Sequence, residues 1–309
     1  MTLDPQAVKW LEIRRAAALP MENPTVQEMR ADPTNWFSYA GPYADDVDEK
    51  HTYITTPTAD IHVVIFTPKN VKPGAAALVF FHGGGWIFSW TLRSAPQMSN
   101  IASETGAVVI GVNYQKAPEH PFPVPFDDCY AGLLWVRDHA VKLGIDPAKI
   151  GVGGDSAGGN LAAAVSLKAA HTGDITLAFQ ILIYPCVDMD FTRQSYLDHQ
   201  SGFGLEADGM KAAWESYIPE SERENQYAVP MRATRCEAVA PAFIALAEHD
   251  VLRDEGIAYG EKLAQAGVAV VMKEWPGMLH GFFGHGMYVD AAYDLRKWIS
   301  AQIIQVVKP

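Results

Sequence analysis

The 309-residue sequence has few cysteines, a deficit of basic residues and no long apolar run. Its three cysteines are far apart and form no CxxC pair, so they predict buried reduced thiols, with neither a disulfide framework nor a zinc site: Cys129, Cys186 and Cys236. Lysine and arginine total 24 against 36 aspartates and glutamates, a formal net charge of -12. Because this charge repels a phosphate backbone, we expect no nucleic-acid partner.

The sequence also has no segment that predicts secretion or membrane insertion. The N-terminal stretch MTLDPQAVKWLEIRRAAALP is charged throughout and lacks the apolar core of a signal peptide. No stretch approaches the roughly 18 apolar residues that a membrane-spanning helix requires. We therefore expect a cytoplasmic protein without stable membrane insertion.

Strand and helix patterns alternate along most of the chain. Two short strand patterns are followed by six further runs, most of them solidly apolar: HTYITT and DIHVVIFTP, then ALVFF, AVVIGVNY, KIGVGG, LAFQILIYP, PAFIALAE and VAVVMKEW. Solid runs are typical of strands buried on both faces of a parallel sheet. Four helical patterns lie among and after them: FDDCYAGLLWVRDHAVKL, NLAAAVSLKAAH, DEGIAYGEKLAQAG and DAAYDLRKWISAQIIQVV. The alternation predicts a doubly wound α/β sheet.

Two segments do not follow this alternation. Residues 1–48 predict short helices interrupted by prolines, with little core of their own. Residues 189–232 are acidic and aromatic, with one helical patch, ADGMKAAWESYI, and an insertion of that length is more typical of a lid than of a linker. We predict that these two segments form a helical cap over a catalytic core made of residues 49–188 and 233–309.

The run KIGVGG leads directly into GDSAG at residues 154–158, which fits the pattern G-x-S-x-G. The pattern alone is a weak signal, but here a buried strand precedes it and an alanine-rich helix follows, as a nucleophile elbow requires. A dinucleotide fingerprint does not fit, because Ser156 occupies the third glycine position. We predict that Ser156 is a nucleophile, and the alternative is an exposed serine on a plain strand-to-helix turn.

HGGGW at residues 82–86 places three glycines after a buried strand, where glycine is unfavourable. Acyl transfer passes through an oxyanion that backbone N–H groups must reach without obstruction by side chains. We predict an oxyanion hole formed by Gly84, Gly85 and Ala157, and we expect His82 to hold its loop by hydrogen bonds. The alternative for this motif is a flexible turn.

A serine hydroxyl needs a neighbouring base, and in this arrangement of elements an acid and then a histidine follow the serine. His280 lies in a glycine-containing loop after the last strand pattern and is the predicted base, with His285 of the same loop as the alternative. The predicted acid is Asp250, which directly follows PAFIALAE, and Asp188 is its competitor. Asp254 is expected to be a helix N-cap.

HGGGW, GDSAGGNLA, HDVLRDEG and LHGF together resemble the bacterial hormone-sensitive lipase family of α/β-hydrolase esterases. The resemblance runs from about residue 50 to the C-terminus, and the N-terminal segment is similar to the cap of that family. It implies an α/β-hydrolase fold with a mostly parallel sheet of about eight strands and the triad Ser156, Asp250 and His280. It also implies hydrolysis of short- to medium-chain acyl esters without a cofactor or a metal, and it allows a homodimer through the C-terminal strand and helix.

The segment NYQKAPEHPFP is similar to YRLAPEHPFP of that family but departs from it at two positions. Gln115 and Lys116 replace arginine and leucine, so any buried ion pair of that arginine is in doubt. We interpret Glu119 and His120 as architectural residues that support loops near Asp155.

The predicted function is therefore a serine carboxylesterase with a small-molecule ester substrate. An amidase or arylformamidase with the same triad is an alternative, and a ligand-binding or dehydratase relative is another, although the presence of His280 weighs against a receptor. Six aromatic residues are candidates for a substrate pocket or for cap packing: Trp86, Phe203, Trp214, Phe88, Trp90 and Tyr217.

Overall fold

The computed structural model describes residues 2–17, 24–32, 39–89 and 94–308. Within these ranges, one sheet contains eight strands: β1 (Val47–Thr55), β2 (Asp60–Pro68), β3 (Ala75–Phe81), β4 (Val108–Asn113), β5 (Ile145–Asp155), β6 (Gln180–Ile183), β7 (Ala242–His249) and β8 (Val270–Leu279). Their order across the sheet is β1-β2-β4-β3-β5-β6-β7-β8. The pairs β1–β2 and β2–β4 are antiparallel, and all other pairs are parallel. The mostly parallel α/β sheet predicted from the sequence is confirmed.

Helices lie on both faces of the sheet and in the segments outside it. Their bounds are α1 (Pro5–Ala17), α2 (Val26–Ala31), α3 (Ala95–Thr105), α4 (Val124–Asp138), α5 (Ala157–Thr172), α6 (Gln194–Asp198), α7 (Ala207–Tyr217), α8 (Arg253–Gln265) and α9 (Ala291–Val307). Helix α7 coincides with the helical patch predicted in the lid segment. In the described part of the chain, no helix combines the length and the apolar character needed to cross a bilayer.

Some details of the helices differ from the sequence predictions. Helix α3 was not predicted, because its buried face includes the polar residues Gln97 and Ser99, which interrupt the apolar period. The short helix α6 was not predicted either. The expectation that Asp254 caps α8 is wrong, since Leu252 occupies the N-cap position. The Asp254 carboxylate instead accepts a hydrogen bond of 2.9 Å from the backbone N–H of Ser195.

The strands divide their apolar side chains between two hydrophobic clusters. In β3, Val79 and Phe81 belong to the cluster that includes residues of α4, α5 and α8, whereas Leu78 and Phe80 belong to the cluster that includes residues of α1, α3 and α9. Successive side chains of a strand point to opposite faces, so a strand covered on both faces is apolar throughout.

The parallel strands end at one edge of the sheet, and the candidate residues follow those ends. Phe81 of β3 pairs with Gly154 of β5, and His249 of β7 pairs with Leu279 of β8. The loop after each strand therefore leaves the same edge, where ligands of open α/β sheets bind.

Candidate active site

Ser156 lies on a sharp turn between β5, which ends at Asp155, and α5, which begins at Ala157. Its φ of 56° and ψ of -121° fall in a region that residues other than glycine rarely adopt. The neighbouring glycine at 158 is required by space, because a Cβ there would lie 1.9 Å from the carbonyl oxygen of Phe81. The local sequence thus lets the backbone turn tightly enough to present a serine in this conformation.

The side chains of Ser156, His280 and Asp250 form one hydrogen-bonded chain. His280 Nε2 lies 2.9 Å from Ser156 Oγ, and His280 Nδ1 lies 2.7 Å from Asp250 Oδ2. Asp250 is buried, and its Oδ1 accepts a hydrogen bond of 3.0 Å from the backbone N–H of Leu252, which fixes the carboxylate. The structure brings together the three side chains proposed from the sequence, in the order that proton transfer to a histidine base requires.

The two competing residues lie in other contacts. His285 is buried against Trp10 of α1, with ring centroids 4.1 Å apart. Asp188 forms ion pairs with Arg193 at 2.6 Å and Arg232 at 3.5 Å. The geometry therefore favours His280 and Asp250 as base and acid.

The glycine loop after β3 supplies backbone donors next to the serine. Gly84 and Gly85 have φ values of 115° and 59°, which favour glycine, and the N–H of Gly83 donates to Asp155 Oδ1 at 2.9 Å. No hydrogen bond from the N–H of Gly84 or Gly85 to another described residue is present. Ala157 is the first residue of α5, where an N–H has no acceptor within the helix. These donors suit an oxyanion.

His82 holds this loop in place. Its Nδ1 donates to the Gly83 carbonyl oxygen at 2.7 Å, and its own carbonyl oxygen accepts from the Tyr114 hydroxyl at 2.8 Å. Burial, reinforced by the positive charge of Lys116, lowers the pKa of His82 well below its ordinary value. The imidazole is therefore neutral, which agrees with a supporting role in hydrogen bonding.

Arg30 of α2 is a residue that sequence reasoning missed. Its guanidinium donates to the carbonyl oxygens of Ile87 and Ala117, both at 2.9 Å. It also binds both carboxylate oxygens of Glu119, at 2.7 and 2.8 Å, and this lowers the pKa of Glu119 to about 2. Glu119 thus has a structural role, and the group that it binds is Arg30 of the N-terminal segment. A lone arginine in a proline-rich stretch gives no sequence signal of this contact.

Gln115 occupies the position where the family has arginine. Its backbone N–H donates to Asp128 Oδ2 at 2.8 Å, and its side-chain Nε2 lies 3.2 Å from the same oxygen. Asp128 is fully buried. Hydrogen bonds from neutral groups of Gln115 therefore satisfy the Asp128 carboxylate, and no ion pair with an arginine at position 115 is needed.

Two of the three residues predicted to bind substrate pack together beside the glycine loop. Trp86 stacks on Tyr217 with ring centroids 4.3 Å apart and an angle of 5°, and it contacts Trp214 at 4.6 Å. Trp86, Trp214 and Tyr217 are all fully buried. In this arrangement the three rings pack against one another, and their role in binding substrate stays a prediction.

Phe203 lies elsewhere, partly buried in the other hydrophobic cluster. Its ring stacks on His249 with centroids 5.6 Å apart, so it does not join Trp86 and Trp214 in one pocket. Phe88 packs against their cluster, and Trp90 lies outside the described residues.

No group of three or more histidine, cysteine or acidic side chains in the described ranges is arranged to hold a metal ion. The three cysteines are free and buried, and burial raises the pKa of Cys129 and Cys186 well above the ordinary value. Their thiols are therefore unsuited to nucleophilic chemistry.

A family model described as alpha/beta hydrolase fold matches residues 78–284. The chain belongs to this family. The carboxylesterase NlhH of Mycobacterium tuberculosis is 37% identical over 237 residues, which cover 75% of this chain and 74% of that protein. The ethyl acetate hydrolase of Pseudomonas putida is 30% identical over 305 residues, covering 94% of this chain and 95% of that protein.

Solved structures agree with this assignment. The crystal structure of a thermostable esterase from Pseudomonas putida ECU1011 has a TM-score of 0.92 and 31% identity, and the match covers 100% of this chain and 98% of that one. The resemblance and the α/β-hydrolase fold predicted from the sequence are confirmed. The names of the relatives support the predicted enzyme class, a carboxylic ester hydrolase.

Proposed function

We propose that the protein is a serine carboxylesterase that hydrolyses small esters with short to medium acyl chains through an acyl-enzyme. The observation that carries the proposal is the continuous hydrogen-bonded chain from Ser156 through His280 to the buried Asp250. A relative named for hydrolysis of ethyl acetate supports a short acyl group.

In the acylation step, His280 Nε2 accepts the proton of Ser156 while Oγ attacks the acyl carbonyl carbon. Asp250 accepts the Nδ1–H of His280, which fixes the tautomer and stabilises the imidazolium as it forms. The carbonyl oxygen gains negative charge and accepts hydrogen bonds from the N–H groups of Gly84, Gly85 and Ala157. The ester C–O bond then breaks, and the imidazolium gives its proton to the departing alcohol.

In the deacylation step, a water molecule takes the place of the alcohol. His280 removes a proton from the water as its oxygen attacks the acyl carbon, and the same backbone donors stabilise the second oxyanion. When this intermediate breaks down, Ser156 regains its proton and the carboxylic acid leaves. Each step returns His280 to the neutral form, so the cycle needs no cofactor.

We also propose that residues 1–48 and 189–232 form a cap over this site. Arg30 of the first segment donates to Ile87, and Trp214 of the second packs on Trp86. Both segments thereby contact the residues that follow the oxyanion loop. A cap in this position would limit the size of the acyl or alcohol group and exclude bulk water.

The test is a panel of 4-nitrophenyl esters from acetate to laurate, compared with aryl formamides and simple amides. We expect the highest kcat/KM among the short and medium esters. Ser156→Ala should abolish turnover while leaving the thermal unfolding temperature nearly unchanged. Retained turnover in that variant would remove Ser156 from the mechanism, and amides turned over faster than activated esters would favour the amidase alternative.

A further inference from the structure

Lys116, in the loop after β4, is a buried lysine close to the oxyanion loop. The residue is 9% exposed. Its Nζ donates to Asn113 Oδ1 at 2.9 Å and to the carbonyl oxygen of Tyr114. The same Nζ lies 4.0 Å from the centroid of the Tyr114 ring. Two oxygen acceptors and an aromatic face surround this nitrogen, and all three attract a cation.

The groups that hold Lys116 also hold the oxyanion loop. The Tyr114 ring stacks on His82 with centroids 4.5 Å apart and an angle of 10°, and its hydroxyl donates to the His82 carbonyl oxygen. The Asn113 side chain also interacts with His82. His82 in turn donates to Gly83, the residue before the predicted oxyanion donors. A short series of contacts therefore leads from the ammonium to the loop.

Charges of both signs face the ammonium from neighbouring elements. Asp128 of α4 favours its charged form, whereas Arg30 of α2 opposes it. Burial is the largest effect, and it lowers the pKa of Lys116 to about 7. The side chain thus changes its charge within the range in which a histidine-dependent hydrolase works.

We propose that the Lys116 ammonium is a positioning group for the oxyanion loop, and that its loss of a proton at alkaline pH lowers the rate of ester hydrolysis. The neutral amine keeps two donors but loses the attraction to the Tyr114 ring and the charge-assisted strength of its hydrogen bonds. Tyr114 and Asn113 then hold His82 and its loop less firmly. This inference rests on the proposed esterase function.

A positioning role of Lys116 can be measured apart from its effect on stability, because methionine is neutral, has a similar length and should fit the site. In Lys116→Met the desolvation cost of the amine disappears, so we expect an unfolding temperature equal to or above that of the wild type. At pH 6.5 we expect kcat to fall about tenfold with KM nearly unchanged, a fraction of the loss that follows removal of an oxyanion donor.

The decisive measurement is kcat for a 4-nitrophenyl ester between pH 6 and 10 in wild type and Lys116→Met. We expect wild-type kcat to decline above about pH 7, where Lys116 loses its proton. The ratio of wild-type to variant kcat should therefore approach one by pH 9 to 10. The matched control is Lys262→Met, because Lys262 of α8 also donates to a backbone carbonyl, that of Met231. It should keep the wild-type profile.

A kcat ratio that stays constant across this pH range, or that equals one throughout, would overturn the proposal. If the methionine variant does not fold, Lys116→Arg decides, because arginine stays charged and should move the alkaline decline to higher pH. An unmoved decline, or a wild-type profile flat to pH 10, would refute the inference. Wild-type protein that hydrolyses no ester would contradict the proposed function itself.

Discussion

Gly158, two residues after the candidate nucleophile, is the position where a single methyl group should do most damage. A Cβ at this position would lie 1.9 Å from the carbonyl oxygen of Phe81, 2.6 Å from its carbonyl carbon and 2.7 Å from the carbonyl oxygen of His82. All three are backbone atoms at the end of β3, which is paired on both sides with β4 and β5. They cannot rotate away as a flexible side chain could.

The cost of Gly158→Ala follows from this crowding. Extra groups in a packed interior typically cost about 1–3 kcal/mol, and three backbone contacts at once place this variant near or above about 3 kcal/mol. For a 309-residue chain that unfolds as one unit, each kcal/mol lowers the unfolding temperature by about 1.5 °C, so we expect a fall of about 5 °C or more. Because Phe81 and His82 lead into the glycine loop, kcat should fall as well.

The matched control is Gly209→Ala in α7. A Cβ there would meet no heavy atom within 4 Å, and alanine inside a helix is favoured over glycine by about 0.5–1 kcal/mol. Thermal unfolding and ester hydrolysis, measured on both variants, should give effects of opposite sign on stability. A Gly158→Ala variant that unfolds at the wild-type temperature and keeps the wild-type kcat would refute the close approach of β3 and α5.

Four other substitutions test the site and the interior. His280→Ala should reduce kcat by at least about 10³-fold, while His285→Ala should mainly lower stability, and the reverse would reassign the base. Asp250→Asn should reduce kcat by about 10⁴-fold with little change in KM, which steady-state kinetics would show. Burial raises the pKa of Glu255 well above its ordinary value, so the folded chain keeps a proton that the unfolded chain releases above about pH 4.5. Stability should therefore fall as pH rises, by about 1.4 kcal/mol per unit until the folded group ionises, and Glu255→Gln should remove that slope. Denaturant unfolding at pH 5 and pH 8 measures the free energy of unfolding of both proteins. If the difference between wild type and Glu255→Gln is the same at the two pH values, the prediction is wrong.

The fold was predictable from the sequence because a buried parallel strand is apolar on both faces. All eight strand patterns correspond to strands, from HTYITT in β1 to VAVVMKEW in β8. Helix α3 was missed for the complementary reason, since Gln97 and Ser99 occupy buried positions that a periodic pattern expects to be apolar. Tertiary hydrogen bonds satisfy such residues, and a sequence pattern does not record them.

The arrangement of the aromatic side chains was less predictable than the sheet. Sequence reasoning placed Trp86, Trp214 and Phe203 in one candidate pocket because all three are large and aromatic. The structure places Phe203 in a different cluster, stacked on His249, and it adds Arg30, which donates to the carbonyl oxygen of Ile87 after the glycine loop. Aromatic composition predicts that large apolar side chains will be buried, whereas the fold decides which of them pack together.

By itself, the sequence determined the order of the elements, the turn at Ser156 and the glycines around it, because these depend on local sterics and on the two-residue period of a strand. It also indicated which histidine and which aspartate follow the ends of strands. Only the tertiary structure decided that His280 Nε2 lies 2.9 Å from Ser156 Oγ, and that Lys116 is buried beside Tyr114. Those distances depend on how separate strands pair and how helices cover them, which no local stretch of sequence encodes.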